Sequence, residues 1–83
     1  MTQSEVETLV RQAEDLYEQK LRAVLETMHK DEFVAIEPES GEYFMGKTLN
    51  EATQAARQVY PDRLTHAMRV GHKAALHFGM HVR

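Results

Sequence analysis

Apolar residues recur every three or four positions over roughly the first third of the chain. This spacing places them on one side of a helix and predicts an amphipathic helix from about Glu5 to His29. Ser4 and Glu7 fit the S-x-x-E capping box, in which two side chains satisfy free amides of the first turn, so the helix is expected to begin there. The predicted apolar stripe consists of Val6, Leu9, Val10, Ala13, Leu16, Tyr17, Leu21, Val24, Leu25 and Met28.

The predicted helix is longer than the rest of the chain is wide. About 25 helical residues span roughly 37 Å at 1.5 Å per residue, whereas about 50 further residues form a globule only about 20 Å across. Part of the stripe is therefore expected to contact a second copy of the chain or another protein. Lys20 interrupts the stripe, which argues against a regular coiled coil. The residues predicted to bind the partner are Leu9, Leu16, Leu21, Val24 and Met28.

A β-hairpin is predicted next. Strand-forming residues at Phe33 to Glu37 are followed by the turn residues Pro38 to Gly41, and Glu42 to Met45 forms the return strand. Both faces of the first strand are apolar, with Val34 and Ile36 on one side and Phe33 and Ala35 on the other. A two-stranded hairpin is marginal by itself, so the sequence predicts that both faces are covered.

The second half of the chain predicts one more helix and one or two more strands. The helix is expected from about Leu49 to Tyr60, after a capping box of Thr48 and Glu51, and Pro61-Asp62 ends it. Its predicted buried stripe is Leu49, Ala52, Ala56, Val59 and Tyr60. Alternation over Leu64 to Val70 predicts a strand, His72 to Phe78 fits either a strand or a short helix, and Gly79 to Arg83 is expected to be a tail.

These elements predict an α+β fold. A long N-terminal amphipathic helix, residues 1–31, serves dimerisation or partner binding, and residues 32–83 form a small ββαβ(β) domain with a mainly antiparallel sheet. The chain has 83 residues and no cysteine, so it lacks disulfides and thiolate metal sites, and self-association or a partner is the remaining source of support.

Charge is unevenly distributed along the chain. Residues 1–42 carry eleven acidic and four basic residues, a net charge of −7, while residues 43–83 carry two acidic and six basic residues, a net charge of +4. The two halves either attract each other or meet different surfaces. No apolar run approaches the roughly 20 residues that span a membrane, and the acidic N-terminus does not resemble a signal peptide. We therefore expect a cytoplasmic protein with no membrane association.

The segment GEYFMGKT, Gly41 to Thr48, matches the phosphate-binding pattern G-x-x-x-x-G-K-[ST]. The four variable positions contain a glutamate and three bulky apolar residues, which suit a strand better than a phosphate cradle. We interpret Gly41 as a turn residue, Gly46 as the exit of the strand and Thr48 as a helix cap. A small nucleotide-binding protein is the disfavoured alternative.

Other residues with chemical potential form no catalytic pattern. His66, His72, His77 and His81 lack the spacing of a zinc site, and Glu37, Glu39 and Glu42 flank a protruding turn, where we expect them to aid solubility. The sequence therefore predicts no enzyme, no cofactor and no metal. The basic residues Arg57, Arg63, Arg69 and Lys73 are the candidates for nucleic-acid binding.

The run from Glu32 to Ala74 resembles a group of small, mostly uncharacterised bacterial proteins that are frequent in cyanobacteria. The shared pattern is F-V-A-I at Phe33 to Ile36, G-K-T-L-x-E-A at Gly46 to Ala52, Y-P-D-R at Tyr60 to Arg63 and R-V-G-H at Arg69 to His72. The resemblance covers about half of the chain. It implies an antitoxin-like member of a two-gene pair and implies no catalytic residue.

The leading hypothesis is a non-enzymatic protein–protein interaction module, antitoxin-like, that binds a second small protein or itself as a homo-oligomer. The alternative is a dimeric regulator that binds nucleic acid through the basic second half. Only the alternative predicts an affinity for nucleic acid that falls steeply with salt.

Overall fold

The computed structural model describes residues 2–72 and the backbone of residues 75–78. Its helical segments are α1 (Gln3–Leu16), a π-helical turn (Tyr17–Leu21), α2 (Arg22–Met28) and α3 (Leu49–Val59), and its strands are β1 (Phe33–Glu37), β2 (Glu42–Gly46), β3 (Thr65–Arg69) and β4 (Ala75–Phe78). The predicted α+β fold is confirmed, and the ambiguous segment after His72 contributes a strand. The predicted tail, Gly79 to Arg83, lies outside the described residues.

The strands form one antiparallel sheet in the order β2-β1-β3-β4. The central pair is buried on both faces, as the apolar pattern of β1 predicts. On one face, Val34 and Ile36 pack with Met68 against Tyr17 and Leu25 of the N-terminal helix. On the other face, the small residues Ala35 and Ala67 lie against Ala52 and Ala56, which lets α3 approach the sheet closely. The fold therefore has three layers, with the sheet between two helical layers.

The N-terminal helix begins earlier than the capping box at Ser4 and Glu7 predicts. Thr2 is the cap: its hydroxyl accepts from the Glu5 amide at 3.1 Å, and the Glu5 carboxylate accepts from the Thr2 amide at 2.8 Å. The segment Thr2 to Glu5 fits the same four-residue pattern two positions earlier. The earlier start adds backbone hydrogen bonds to the helix, including the one from the Val6 amide to the Thr2 carbonyl.

The predicted single stripe on this helix is divided in the structure. Ala13, Tyr17 and Leu25 are buried, whereas Val24 and Met28 are exposed. The cause is the π-helical turn, whose Tyr17 carbonyl accepts from the Arg22 amide five residues later. Because a π turn holds an extra residue, the side chains that follow it are rotated relative to a regular α-helix.

The chain turns from α2 into β1 at Asp31, which has a φ of 73°. Aspartate tolerates this left-handed conformation better than most residues do. The Asp31 amide donates to the Val70 carbonyl at 3.0 Å, and the Val70 amide donates to the Glu32 carbonyl at 2.7 Å. These bonds fix the C-terminal end of the helical layer to the end of β3.

The segment Gly41 to Thr48 serves the fold, as the sequence interpretation proposes. Gly41 has a φ of 81° in the hairpin turn, which favours glycine. Thr48 caps α3 by accepting from the Glu51 amide at 3.1 Å, but the Glu51 carboxylate accepts from the Lys47 amide instead of completing a box with Thr48. At Gly46 the backbone of α3 lies so close that a Cβ atom would be 2.5 Å from the Ala52 nitrogen.

The predicted stripe of α3 is correct in its middle and wrong at its end. Ala52 and Ala56 are buried and Leu49 packs beside them, but Val59 is 54% exposed. Tyr60 is partly buried and makes an edge-on contact with Phe44, with ring centroids 6.3 Å apart.

Gly46→Ala tests the close approach of α3. We expect the added methyl group to lower the free energy of unfolding by about 1–3 kcal/mol, the usual cost of overpacking. Urea unfolding measures the change. The control, Gln54→Ala on the exposed side of α3, should stay within about 0.5 kcal/mol of the unmodified protein. Equal stabilities of the two variants would contradict the close packing.

Candidate protein-interaction surface

The five residues predicted to bind a partner have different environments. Leu16 and Leu21 pack beside the buried cluster under the N-terminal helix, and Leu9 is partly buried. Val24 is 53% exposed and Met28 is 69% exposed. The structure therefore assigns two of the predicted side chains largely to its own core and leaves two available on the surface.

Val24 and Met28 form the exposed part of a continuous strip. Residues three and four apart are neighbours on a helix, so Leu21, Val24 and Met28 lie side by side. We call these three residues the α2 strip. Lys20 is exposed and lies four residues before Val24. The strip is thus an apolar surface with the positive charge of Lys20 at its N-terminal end.

The opposite side of α2 is polar and internally paired. The Arg22 guanidinium contacts Glu18 at 2.8 Å and Glu26 at 3.1 Å, each one helical turn away. Both pairs are partly exposed, and each contributes a few tenths of a kcal/mol at most. Their effect is to make this side hydrophilic, so that the exposed apolar surface of α2 is confined to the strip.

Tyr17 connects the polar side of the helix to the sheet. Its hydroxyl donates to the Glu26 carboxylate at 3.2 Å and accepts from the Gly71 amide at 3.4 Å. Burial raises the pKa of Tyr17, and the Glu26 carboxylate raises it further, while the Gly71 amide acts in the opposite direction. The hydroxyl therefore stays protonated and holds the π-helical turn over the end of β3.

A cleft of about 480 Å³ lies between the polar side of the helix and the end of β3. It is lined by Glu14, Asp15, Tyr17, Glu18, Arg22, Glu26, Met68, Gly71 and His72. Several of these side chains already pair with one another, as described above for Arg22 and Tyr17. Within residues 2–72, no three acidic or histidine side chains converge closely enough to hold a metal ion.

The predicted solubility role of the hairpin acids is wrong for Glu37. This side chain is fully buried, and its carboxylate accepts from the Ser40 amide at 2.8 Å, from the Glu39 amide at 3.0 Å and from Arg63 at 3.2 Å. Glu42 is also engaged, since it accepts from the Tyr60 hydroxyl at 2.5 Å. The turn that follows Glu37 contains backbone amides that need an acceptor, so the sequence offers a local signal for these two bonds. Arg63 lies 26 residues later, and no local pattern links it to Glu37.

The basic residues predicted for nucleic-acid binding are spread over the described part of the fold. Arg63 binds Glu37 at one end of β1, with its guanidinium 5.4 Å from the centre of the Tyr60 ring. Arg69 lies at the other end of β1, where it donates to the Asp31 carbonyl and covers the Phe33 ring. Arg57 is exposed on α3, and Lys73 lies outside the described residues. Two of these four residues are therefore used in contacts within the chain, and nucleic-acid binding stays a prediction.

The histidines are also separated. His66 is buried on β3, with Nε2 at 4.0 Å from the Glu14 carboxylate, while His72 contacts Asp31 at 2.8 Å. The His77 side chain and His81 lie outside the described residues. No helix in the described part of the chain is both long and apolar enough to cross a membrane.

Glu37→Gln tests the role of the buried carboxylate. Glutamine retains the size but weakens the charge-assisted bonds to the two turn amides and to Arg63, so we expect the free energy of unfolding to fall by about 1–3 kcal/mol. Chemical denaturation measures this loss. Glu39→Gln is the matched control at an exposed carboxylate and should change stability by less than about 0.5 kcal/mol. Similar losses in both variants would show that burial of Glu37 contributes nothing.

His72→Ala tests the contact at the end of the helical layer. The hydrogen bond from His72 lowers the pKa of Asp31, so the variant should raise that pKa towards its ordinary value of about 3.9. Because the pKa is lower in the folded state, the Asp31 contact stabilises the fold above the unfolded pKa, and this contribution is lost as the pH falls through the folded pKa. An NMR titration of the Asp31 carboxyl group measures the shift. His29→Ala, which removes the neighbouring contact to Glu32, should leave the titration unchanged.

No protein-family model, curated protein or solved structure matches this chain. The likeness to small bacterial proteins described under Sequence analysis therefore stays a prediction. What supports a function is the distribution of contacts and exposed groups within the chain.

Proposed function

We propose that this chain is a non-enzymatic, cytoplasmic protein–protein interaction module that binds through the α2 strip. One observation carries the proposal: Val24 and Met28 are largely exposed on a helix whose residues Ala13, Tyr17 and Leu25 are buried in the core. The antitoxin-like role, with a second small protein as the partner, is the form of this function that the sequence resemblance implies.

The exposed side chains of the strip do not contribute to the stability of this small domain, but they would if a partner covered them. Covering an exposed valine or methionine side chain contributes on the order of 1–2 kcal/mol. The chain has neither disulfides nor thiolate metal sites to support it, because it contains no cysteine. A partner that covers the strip therefore adds stability that the monomer lacks.

The surroundings of the strip favour an apolar partner surface with acidic residues at its margin. Lys20 is exposed at one end of the strip. Charges at the rim of an interface favour association with the opposite sign and guide the approach of the partner. The partner surface expected here is an amphipathic segment that matches an apolar centre with Lys20 at its margin.

Val24→Asp is the direct test. We expect at least a tenfold loss of affinity for a protein captured from the cells that make this chain, because an unpaired carboxylate would be placed in an apolar contact. Val59→Asp is the matched control, since Val59 is 54% exposed and lies on α3, across the sheet from α2. Thermal melting confirms that both variants fold. Equal capture by the two variants, measured by quantitative pull-down and titration calorimetry, would reject the strip as the binding surface.

A further inference from the structure

The methionines of this chain lie in two different environments. The sequence contains five methionines and no cysteine, so methionine supplies all of its sulfur. Met68 is 9% exposed, and Met45 packs beside the same buried cluster under the N-terminal helix. Met28 is 69% exposed, more than any other large apolar side chain in the described part of the chain. Met1 and Met80 lie outside the described residues.

Met28 occupies the C-terminal end of the α2 strip. It is the last residue of α2 and lies one helical turn after Val24. Because Met28 is more exposed than Val24, its thioether supplies much of the apolar surface that a partner would cover. A change in the polarity of Met28 therefore changes the strip.

The core does not depend on the Met28 side chain in the same way. The buried cluster under the N-terminal helix contains Met68, with Met45 packed beside it, and Leu25 is its contribution from α2. A polar oxygen on Met45 or Met68 would lie among apolar side chains and would destabilise the fold. The same oxygen on Met28 would remain in water. The fold thus separates a methionine that can be modified in the native state from two that are shielded.

Peroxides are the class of oxidant that converts a methionine thioether to the sulfoxide. The sulfur lone pair attacks one oxygen of hydrogen peroxide, so that an S–O bond forms while the O–O bond breaks. The proton of the transferred oxygen leaves with the departing hydroxide as water. The thioether is oxidised by two electrons and the peroxide is reduced by two. Because the oxidant must reach the sulfur atom, exposure of the side chain controls the rate.

We propose that Met28 is an oxidation site through which peroxides control binding at the α2 strip. The inference rests on the proposed function and adds the regulation of the same surface. In the thioether form, the end of the strip is apolar. In the sulfoxide form, an oxygen that is hydrogen-bonded to water would have to enter an apolar contact, which opposes binding. Methionine sulfoxide reductases reverse the change, since two thiols give a disulfide and water as the sulfoxide is reduced.

Timed oxidation with hydrogen peroxide, followed by peptide mass mapping, tests the site. We expect Met28 in the folded chain to be oxidised at least about ten times faster than Met45 and Met68, because peroxide reaches the shielded sulfur atoms only when the core opens. In concentrated urea the three rates should become similar. Thermal melting of the chain oxidised at Met28 should match that of the unmodified chain. Equal rates at the three residues of the folded chain would overturn the proposal.

The effect on binding is measured with the protein captured in the test of the proposed function. Titration calorimetry should show that oxidation of Met28 weakens binding at least about fivefold, and that a reductase with dithiothreitol restores it. Met28→Leu is the matched control: it keeps the apolar volume and the other four methionines but cannot be oxidised at this position. This variant should bind equally before and after peroxide treatment. An unchanged affinity of the oxidised chain, or an equal loss in Met28→Leu, would contradict the role of Met28.

The bound complex provides a further readout. A partner that covers the strip should slow oxidation of Met28 at least about fivefold relative to the free chain, and equal rates would reject the inference. The Val24→Asp variant distinguishes the two proposals. Loss of capture in Val24→Asp with no effect of Met28 oxidation would reject the regulation and leave the proposed function standing. Capture by Val24→Asp equal to that by Val59→Asp would reject the proposed function and this inference with it.

Discussion

The central strands β1 and β3 have two apolar faces, and the rest of the fold depends on covering both of them. Val34, Ile36 and Met68 need cover on one side, and Ala35 and Ala67 need it on the other. One helix cannot cover both faces of a sheet. The chain therefore places the N-terminal helix on the face with large side chains and α3 on the face with small ones, where the missing side chain of Gly46 lets the α3 backbone come close.

The N-terminal helix carries more apolar surface than the narrow sheet can cover. The π-helical turn divides that surface, since it rotates α2 relative to α1 and keeps Tyr17 and Leu25 on the sheet while Val24 and Met28 point away from the core. Polar contacts then fix the rotation: Tyr17 binds Gly71, and Asp31 binds the backbone of Val70. The exposed strip is thus a consequence of how the helix is held on the sheet.

Polar groups hold the two ends of β1 in different ways. At the hairpin end, a buried carboxylate, Glu37, satisfies two turn amides and binds Arg63. At the other end, Asp31 adopts a left-handed conformation and contacts His72 and Arg69. Arg63 and Arg69 therefore make contacts within the folded chain. Part of the positive charge of the second half stabilises the domain, in addition to any role in binding a partner.

The sequence by itself determined the order of the elements and most of the faces they bury, because periodicity and turn chemistry are local. The bounds of β1, the helix cap at Thr48, the two-sided cover of the hairpin and the structural role of Gly41 and Gly46 all follow from residues close together in the chain. Tertiary structure decided what depends on distant residues. The burial of Glu37 requires Arg63, the exposure of Val24 requires the π-helical turn over Gly71, and the position of Tyr43 at a free edge requires a strand order that places β3 rather than β2 at the centre. Local patterns carry no signal for such pairings, because their free energy arises only when the distant segments meet.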